Sequence, residues 1–156
     1  MRAETQRRVR HKGTKTRLHK GTKVRMPLFE PIPSHVERVA KETIGAALHV
    51  HRVLGPGFLE RIYQQALCIE LQLQGIAFER ERPVIVFYRD VAIPGQRIDL
   101  IVEECLVVEL KAAPRFATTS YDSQVISYLR TTGHRLGLLL NFGCPTLKEG
   151  IRRIVL

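Results

Sequence analysis

Apolar residues recur at helical spacing in two stretches that follow a proline-rich lead-in. The first stretch spans residues 34–54, and Ser34-His35-Val36-Glu37 matches a capping box, which predicts a helix capped by Ser34. Gly55-Pro56-Gly57 ends this helix because it combines two flexible residues with one that lacks a backbone N–H. A second helix is predicted over residues 58–74, with Gly75 as its stop signal.

The pattern changes to that of β-strands after the second helix. Residues 76–88 end in a run of strand-favouring side chains, and Arg89-Asp90 has the composition of a turn. A further strand is predicted over residues 96–103. A tight turn at Glu103-Glu104 then leads into residues 106–112, whose nearly continuous apolar run predicts a central strand.

The last part of the chain returns to helical spacing before one more strand. A helix is predicted over residues 118–132, and a well-buried strand over residues 136–142. Residues 145–155 are expected to close the chain with a short helix. The predicted order is ααβββαβα, which is an α/β (α+β) fold around a mixed sheet.

Composition describes an ordinary globular chain. Its 156 residues suffice for one domain with a real core, and 44% of them are apolar and 26% charged. No apolar run reaches the roughly 18 to 20 residues of a membrane span, and the N-terminus lacks the apolar stretch of a signal peptide. We therefore predict a cytoplasmic protein with no membrane partner, whose cysteines (Cys68, Cys105 and Cys144) stay reduced.

Positive charge is concentrated at the N-terminus. Residues 1–25 hold ten Lys or Arg and one acidic side chain, a net charge of +9, whereas the other 131 residues hold 15 basic and 14 acidic side chains. The lack of apolar periodicity predicts a disordered tail over residues 1–25, ahead of a domain over residues 26–156. Two interpretations of the tail stay open: a basic arm that contacts phosphate backbones, or a misassigned start with translation beginning at Met26.

Ionisable side chains interrupt two of the apolar predicted strands. Glu109 and Lys111 are two residues apart, so they face the same side of their strand, roughly 7 Å apart along it. A hairpin through residues 103–105 would bring Asp99 opposite Glu109. Mg²⁺ would relieve the repulsion between these two carboxylates, with the carbonyl of Leu110 as a further ligand. Lys111 would then lie beside a water on the metal, and could orient it or help to deprotonate it.

A purely structural interpretation of these residues stays open. An E-x-K pattern in a strand arises often by chance, as a buried ion pair at the edge of a sheet. Asp99, ten residues upstream of Glu109 in the adjacent strand, favours the metal site over this interpretation.

Four short motifs, in order along the chain, carry a family resemblance. They are GFLERIY at 57–63, RIDL at 97–100, VELK at 108–111 and QVISY at 124–128. In this order and spacing they resemble the GxxExxY protein family, a branch of the PD-(D/E)XK nuclease superfamily. The resemblance covers residues 34–155 and implies a restriction-endonuclease-like αβββαβ core with an extra N-terminal helix.

The resemblance also implies roles for individual residues. Asp99 and Glu109 correspond to the metal-binding acids of the superfamily, and Lys111 to the lysine of its motif. Glu60 corresponds to the N-terminal acidic residue that assists metal binding, although stabilisation of its own helix dipole is an alternative. Gln124 resembles the polar residue that helps to position metal, water or substrate.

We therefore expect a Mg²⁺-dependent nuclease that hydrolyses phosphodiester bonds of DNA or RNA, with Mn²⁺ as a substitute metal. Arg97 and Arg115 are candidates for contacts with substrate phosphates, because both are near the predicted acidic site, and ordinary surface charge is the alternative for each. Two other hypotheses stay open: a module that binds nucleic acid or regulates without turnover, and a protein-interaction partner whose site is a relic. A homodimer is a further expectation, since small nucleases of this type often pair.

Overall fold

The structure is a computed structural model that describes residues 30–114 and 120–156. The tail over residues 1–25, the alternative start at Met26, Arg115 and the first two residues of the predicted helix at 118–132 lie outside the described residues. The elements are α1 (Ser34–Leu54), α2 (Glu60–Leu73), β1 (Phe78–Tyr88), β2 (Val91–Val102), β3 (Leu106–Lys111), α3 (Ser120–Thr132), β4 (Leu136–Asn141), α4 (Leu147–Gly150) and β5 (Ile151–Val155). No helix in these two ranges is long and apolar enough to cross a membrane.

Helix α1 has the predicted bounds but not the predicted cap. Its N-cap is Pro33, and no side chain caps the helix, so the expected capping box at Ser34 is wrong. The main chain explains the difference, because the carbonyl of Pro33 accepts hydrogen bonds from the N–H groups of Val36 and Glu37 at 3.0 and 3.1 Å. The helix ends at Gly55, whose φ of 67° favours glycine.

The five strands form one sheet in the order β1-β2-β3-β4-β5. The first three strands are paired antiparallel, β3 and β4 are parallel, and β4 and β5 are antiparallel. Together with α2 and α3 this sheet contains the predicted αβββαβ core, and α1 is the extra N-terminal helix. The predicted mixed α+β fold class is confirmed.

The end of the chain differs from the prediction. Only residues Leu147–Gly150 are helical, whereas Ile151–Val155 form β5. All six residues of β4 are buried, so its outer edge needs a hydrogen-bonding partner that a helix could not supply. Strand β5 pairs with that edge and satisfies its backbone groups.

The core has a layer on each face of the sheet. Helices α1 and α2 cover one face, where Tyr63, Leu100, Val108 and Leu140 belong to the larger buried cluster. Helix α3 covers the other face over a smaller cluster that includes Val107 and Leu139. Strand β3 is therefore buried from both sides, as its apolar run predicts.

Strands β1 and β2 extend beyond the rest of the sheet as a two-stranded ribbon. We call its outer part, residues 82–97, the hairpin arm. Strand β2 begins at Val91 rather than at residue 96, and runs through Pro94 and Gly95. Proline is tolerated here because the arm is a sheet edge, where one N–H is not needed for pairing. The turn at Arg89-Asp90 is confirmed, and Arg89 has a φ of 54°.

Candidate active site

The candidate site lies where β2 and β3 separate. Their ladder pairs Val102 with Leu106 and Leu100 with Val108, and then ends, so Asp99 and Glu109 occupy the next position. This is the register that the turn at residues 103–105 predicts. Beyond the ladder, the carboxylate of Asp99 accepts a hydrogen bond from the N–H of Leu110 at 2.8 Å. A side chain thus replaces the strand partner of β3, and this fixes the Asp99 carboxylate against the strand.

Glu109 is the most unusual residue of the site because it is a carboxylate inside the core. Only 2% of the residue is exposed. Its Oε1 accepts a hydrogen bond from the Nζ of Lys111 at 2.6 Å, whereas its buried Oε2 accepts none from any described residue. A buried carboxylate oxygen without a partner is costly, and such a group calls for a proton or a cation.

The electrostatics of the two acids agree with this geometry. Burial, with the nearby charge of Asp99, raises the pKa of Glu109 from 4.5 to about 7, although Lys111 acts in the opposite direction. Burial also raises the pKa of Asp99, against the lowering effects of the Leu110 N–H and the Lys111 charge. Without a cation, the pair resists carrying two negative charges at neutral pH.

Helix α2 brings a third acid near enough to interact electrostatically with Asp99 and Lys111. Glu60 is half-buried in the first turn of α2, and burial raises its pKa, with opposing contributions from the Lys111 charge and the Ala112 backbone N–H. The charge of Asp99 raises the pKa of Glu60 further. Glu60 is therefore an interacting member of the acidic group, and the helix dipole is not the only influence on it.

Lys111 is held among these acids. Burial alone would lower the pKa of Lys111, but the hydrogen bond and charge of Glu109, together with Glu60 and Asp99, raise it. The ammonium also lies 5.4 Å from the centre of the Tyr121 ring on α3, within the range of a cation–π interaction. Lys111 is therefore a fixed cation at neutral pH and not a free base.

Helix α3 forms one wall of a solvent-open groove that has Asp99 among its lining residues. The groove has a volume of about 560 Å³. It is lined by Gly95, Gln96, Arg97, Asp99, Ser120, Ser123, Gln124, Ser127 and Tyr128. The side chains that line it are polar or charged, as suits a substrate with a hydrophilic backbone.

Gln124 and Arg97 reach this groove but do not touch the acids in the described structure. The amide of Gln124 donates to the Tyr128 hydroxyl at 2.7 Å, and that hydroxyl donates to the Arg97 carbonyl at 2.8 Å. The guanidinium of Arg97 pairs with Glu81 at 3.2 Å and is largely exposed. Tyr128 therefore connects α3 to the hairpin arm at Arg97. Its hydroxyl also orients the side-chain amide of Gln124.

Tyr63, the tyrosine of the GxxExxY pattern, is a packed aromatic residue. Its ring stacks on Phe142 with centroids 4.6 Å apart, and no part of the residue is exposed. Its hydroxyl donates to the Gly55 carbonyl at 2.6 Å and accepts from the Phe58 N–H at 3.1 Å. These contacts shape the loop before α2 and so set where Glu60 begins the helix.

Two residues that support the site were not predicted from the sequence. The fully buried Asn141 binds both backbone groups of Ala113, donating to its carbonyl at 2.9 Å and accepting from its N–H at 3.0 Å. Gln64, one turn after Glu60, donates to the Asp99 carbonyl at 3.3 Å. Asn141 could have been found because it is a polar residue at the end of an otherwise apolar strand. Nothing in the sequence distinguishes Gln64 from an ordinary helical glutamine.

These residues fit a hard divalent cation. No three His, Cys, Asp or Glu side chains within the described ranges converge tightly enough to enclose a metal by themselves. Magnesium nevertheless binds commonly through one or two carboxylates and keeps several waters. Asp99 and Glu109 provide that pair, and the buried Oε2 of Glu109 is a ligand without another partner. The three ionised acids and Lys111 together leave two negative charges, which a divalent ion would balance.

Comparisons with known proteins were made against families, curated proteins and solved structures. The family model of the PD-(D/E)XK nuclease superfamily matches residues 37–154. No curated protein and no solved structure matches significantly. The matched range begins in α1 and ends in β5, so it contains every element that builds the candidate site.

Proposed function

Because the chain belongs to the PD-(D/E)XK nuclease superfamily, we propose that it is a divalent-metal-dependent nuclease that hydrolyses phosphodiester bonds of nucleic acid. The observation that carries this proposal is the buried Glu109 carboxylate, with one oxygen unpartnered, beside Asp99 and Lys111. An ion pair kept only for stability would satisfy both carboxylate oxygens, because each unsatisfied buried group lowers stability by about 1–3 kcal/mol.

Asp99 and Glu109 would hold the cation, with Glu60 in support, and Mg²⁺ is the expected ion with Mn²⁺ as its substitute. When bound, a divalent ion supplies an activated water and neutralises charge on the phosphate. The Leu110 N–H keeps Asp99 in place for this role. PD-(D/E)XK nucleases generally use divalent metals, which agrees with this donor set.

Lys111 has a different role because its pKa is raised and it stays protonated. Its ammonium is a fixed donor that can orient the attacking water and stabilise negative charge on the phosphate oxygens. Gln124 and Arg97 are proposed to contact substrate in the groove along α3, where both already lie. Among the members of the superfamily we propose the GxxExxY branch, on the strength of Gly57, Glu60 and Tyr63.

A cleavage assay with the full chain tests this proposal. Single- and double-stranded DNA and RNA are incubated with Mg²⁺, Mn²⁺ or EDTA, for the wild type and for Asp99→Asn, Glu109→Gln and Lys111→Met. Cleavage should require a divalent metal, and each variant should lower its rate at least about 100-fold. Asp90→Asn and Lys148→Met are the controls. They make the same substitutions as two of the site variants, but at exposed positions outside the site, and these proteins should cleave normally.

Metal-independent cleavage, or cleavage unchanged in all three site variants, would contradict the proposal. Binding of nucleic acid without any cleavage, with unchanged affinity in EDTA, would favour the alternative of a binding or regulatory module that keeps the nuclease fold.

A further inference from the structure

The groove at the candidate site is continued by a second groove along α3. This second groove has a volume of about 520 Å³ and lies between α3 and the hairpin arm. It shares Gln96, Ser123 and Ser127 with the groove at the candidate site, so the two grooves adjoin. We call the second one the outer groove. Its lining reaches Arg130, in the last turn of α3.

The charged side chains of the two grooves suit a ligand with repeated negative charges. Apart from Asp99, the described residues that line the grooves include two arginines and no acid. Arg130, in the outer groove, is exposed and has no partner among the described residues. Arg97, in the other groove, pairs with Glu81, but both side chains are largely exposed, so a phosphate can replace that carboxylate at little cost. Each groove therefore has one arginine that can contact a phosphate.

An apolar strip extends from the outer groove along one face of the hairpin arm. Val86 lines the outer groove from the arm, opposite Ile126 of α3. Side chains alternate along a strand, so Tyr88 is on the same face of the arm as Val86. Val86 is paired with Ile93 and Tyr88 with Val91, and paired residues share a face. We call these four residues of the arm, which are between 38% and 65% exposed, the apolar strip.

We infer that the outer groove and the apolar strip bind an unpaired strand of nucleic acid, which makes single strands the substrate class of the site. The bases would lie on the strip, with phosphates at Arg97 and Arg130. A duplex fits this surface less well, because its base faces are stacked inside and only its backbone and groove edges are accessible. Every unpaired base has a free face, whatever its sequence. The inference rests on the proposed function in calling this strand a substrate.

Tyr88 is the residue of the strip best suited to stack on a base. Its ring is exposed, and the guanidinium of Arg89 lies 5.8 Å from the ring centroid, within the range of a cation–π interaction. Proteins that bind single strands combine positive charge for the backbone with aromatic rings for the bases. Tyr88 and the arginines of the two grooves provide both kinds of contact.

Fluorescence anisotropy of the full chain, in EDTA to prevent cleavage, tests the inference. The labelled probes are a single strand of DNA, the same strand of RNA, and the DNA duplex of the same sequence. Tyr88→Ser and Arg130→Gln should each raise the Kd for the single strands at least about fivefold, and change the Kd for the duplex by less than about twofold.

Two matched variants serve as controls in the same experiment. Phe87→Ser removes a similarly exposed aromatic side chain from the opposite face of the arm. Arg52→Gln removes an exposed arginine from the last turn of α1, as Arg130→Gln does from the last turn of α3. Neither control should weaken binding to the single strands. Circular dichroism and thermal melting check that each variant folds.

Tyr88→Trp gives a second measurement that keeps an aromatic side chain, and so serves if Tyr88→Ser does not fold. The chain has no tryptophan of its own, so this variant has one reporter, and it lies on the strip. Its fluorescence should be quenched by the single strands, because a stacked base quenches the indole, and not by the duplex. Phe87→Trp places the same reporter on the opposite face and should be quenched by neither.

Cleavage rates in Mg²⁺ separate this inference from the proposed function. Metal-dependent cleavage that is as fast on the duplex as on single strands, with single-strand binding unchanged in Tyr88→Ser and Arg130→Gln, would overturn the inference and leave the proposed function standing. Single-strand binding that both variants weaken, without any cleavage, would do the reverse. Equal quenching of Tyr88→Trp and Phe87→Trp would also overturn the inference, because the strand would then not be bound along the apolar strip.

Discussion

At the scale of single residues, the site is a set of acids whose charges the protein does not neutralise by itself. Lys111 is the only basic side chain hydrogen-bonded to Glu109 in the described structure, and it leaves Oε2 of that residue without a partner. The pKa values of Asp99, Glu109 and Glu60 are all raised, with burial as the largest cause in each case. A divalent cation would stabilise the ionised forms of these acids.

Glu109 is expected to make the metal-free protein less stable as the pH rises. Its pKa is raised from 4.5 to about 7 on folding, so the folded state binds the proton more tightly than the unfolded chain. The resulting stabilisation is complete below about pH 4.5 and is lost as the pH rises through about 7. Urea titrations in EDTA should show the free energy of unfolding falling over this range for the wild type relative to Glu109→Gln.

Millimolar Mg²⁺ should reverse this fall at neutral pH in the wild type and not in Glu109→Gln, because a bound cation replaces the proton. If the difference in the free energy of unfolding between the two proteins does not change with pH, the pKa of Glu109 is not raised on folding.

At the scale of elements, the site depends on how three neighbouring segments end. Strand β2 leaves β3 at Asp99, β3 ends at Lys111, and β4 ends at Asn141 alongside it. The carbonyl of Lys111 accepts a hydrogen bond from the N–H of Phe142 at 2.7 Å. Asn141 continues this connection with a side chain, because it holds Ala113 after the regular ladder has stopped.

Asn141→Ala should therefore destabilise the fold and weaken the site together. The substitution removes the side-chain partner of both half-buried backbone groups of Ala113, at a cost of about 1–2 kcal/mol. Urea unfolding measures this loss, and Gln72→Ala, an exposed position on α2, serves as the control and should change stability by less than about 0.5 kcal/mol. An effect of Asn141→Ala no larger than that of the control would show that the amide does not support the chain after Lys111.

Sequence patterns predicted those elements well that depend only on residues close to one another in the chain. The turn at Glu103-Glu104 fixes the hairpin register, and through it the juxtaposition of Asp99 and Glu109. Strand β5 was missed because its pairing depends on a free edge of β4, which is not visible in residues 151–155 themselves. The hairpin arm was predicted too short because Pro94 and Gly95 look like strand breakers, and only their place at a sheet edge makes them acceptable.

At the scale of the whole molecule, charge and chemistry are carried by different parts of the chain. Residues 1–25 have a net charge of +9, whereas the acids and Lys111 belong to the part that has a net charge of +1. The superfamily match over residues 37–154 likewise leaves the tail out. We therefore expect that binding to nucleic acid and its hydrolysis depend on different parts of the chain.

Deletion of residues 1–25 should weaken binding to nucleic acid and make the remaining affinity less dependent on salt, because fewer counterions are released. Fluorescence anisotropy with a labelled oligonucleotide at several salt concentrations, in EDTA to prevent cleavage, measures both effects. Cleavage at saturating substrate should persist without the tail. An unchanged salt dependence would mean that the tail does not contact the nucleic acid.

The most direct measurement of the central claim is a calorimetric titration of the full chain with Mg²⁺ and Mn²⁺. The account predicts binding to the wild type that is lost in Asp99→Asn/Glu109→Gln. Binding should be retained in Glu79→Gln/Asp90→Asn, which makes the same two substitutions at exposed positions on the β1–β2 hairpin. Absence of binding to the wild type, or binding that survives in Asp99→Asn/Glu109→Gln, would contradict the account.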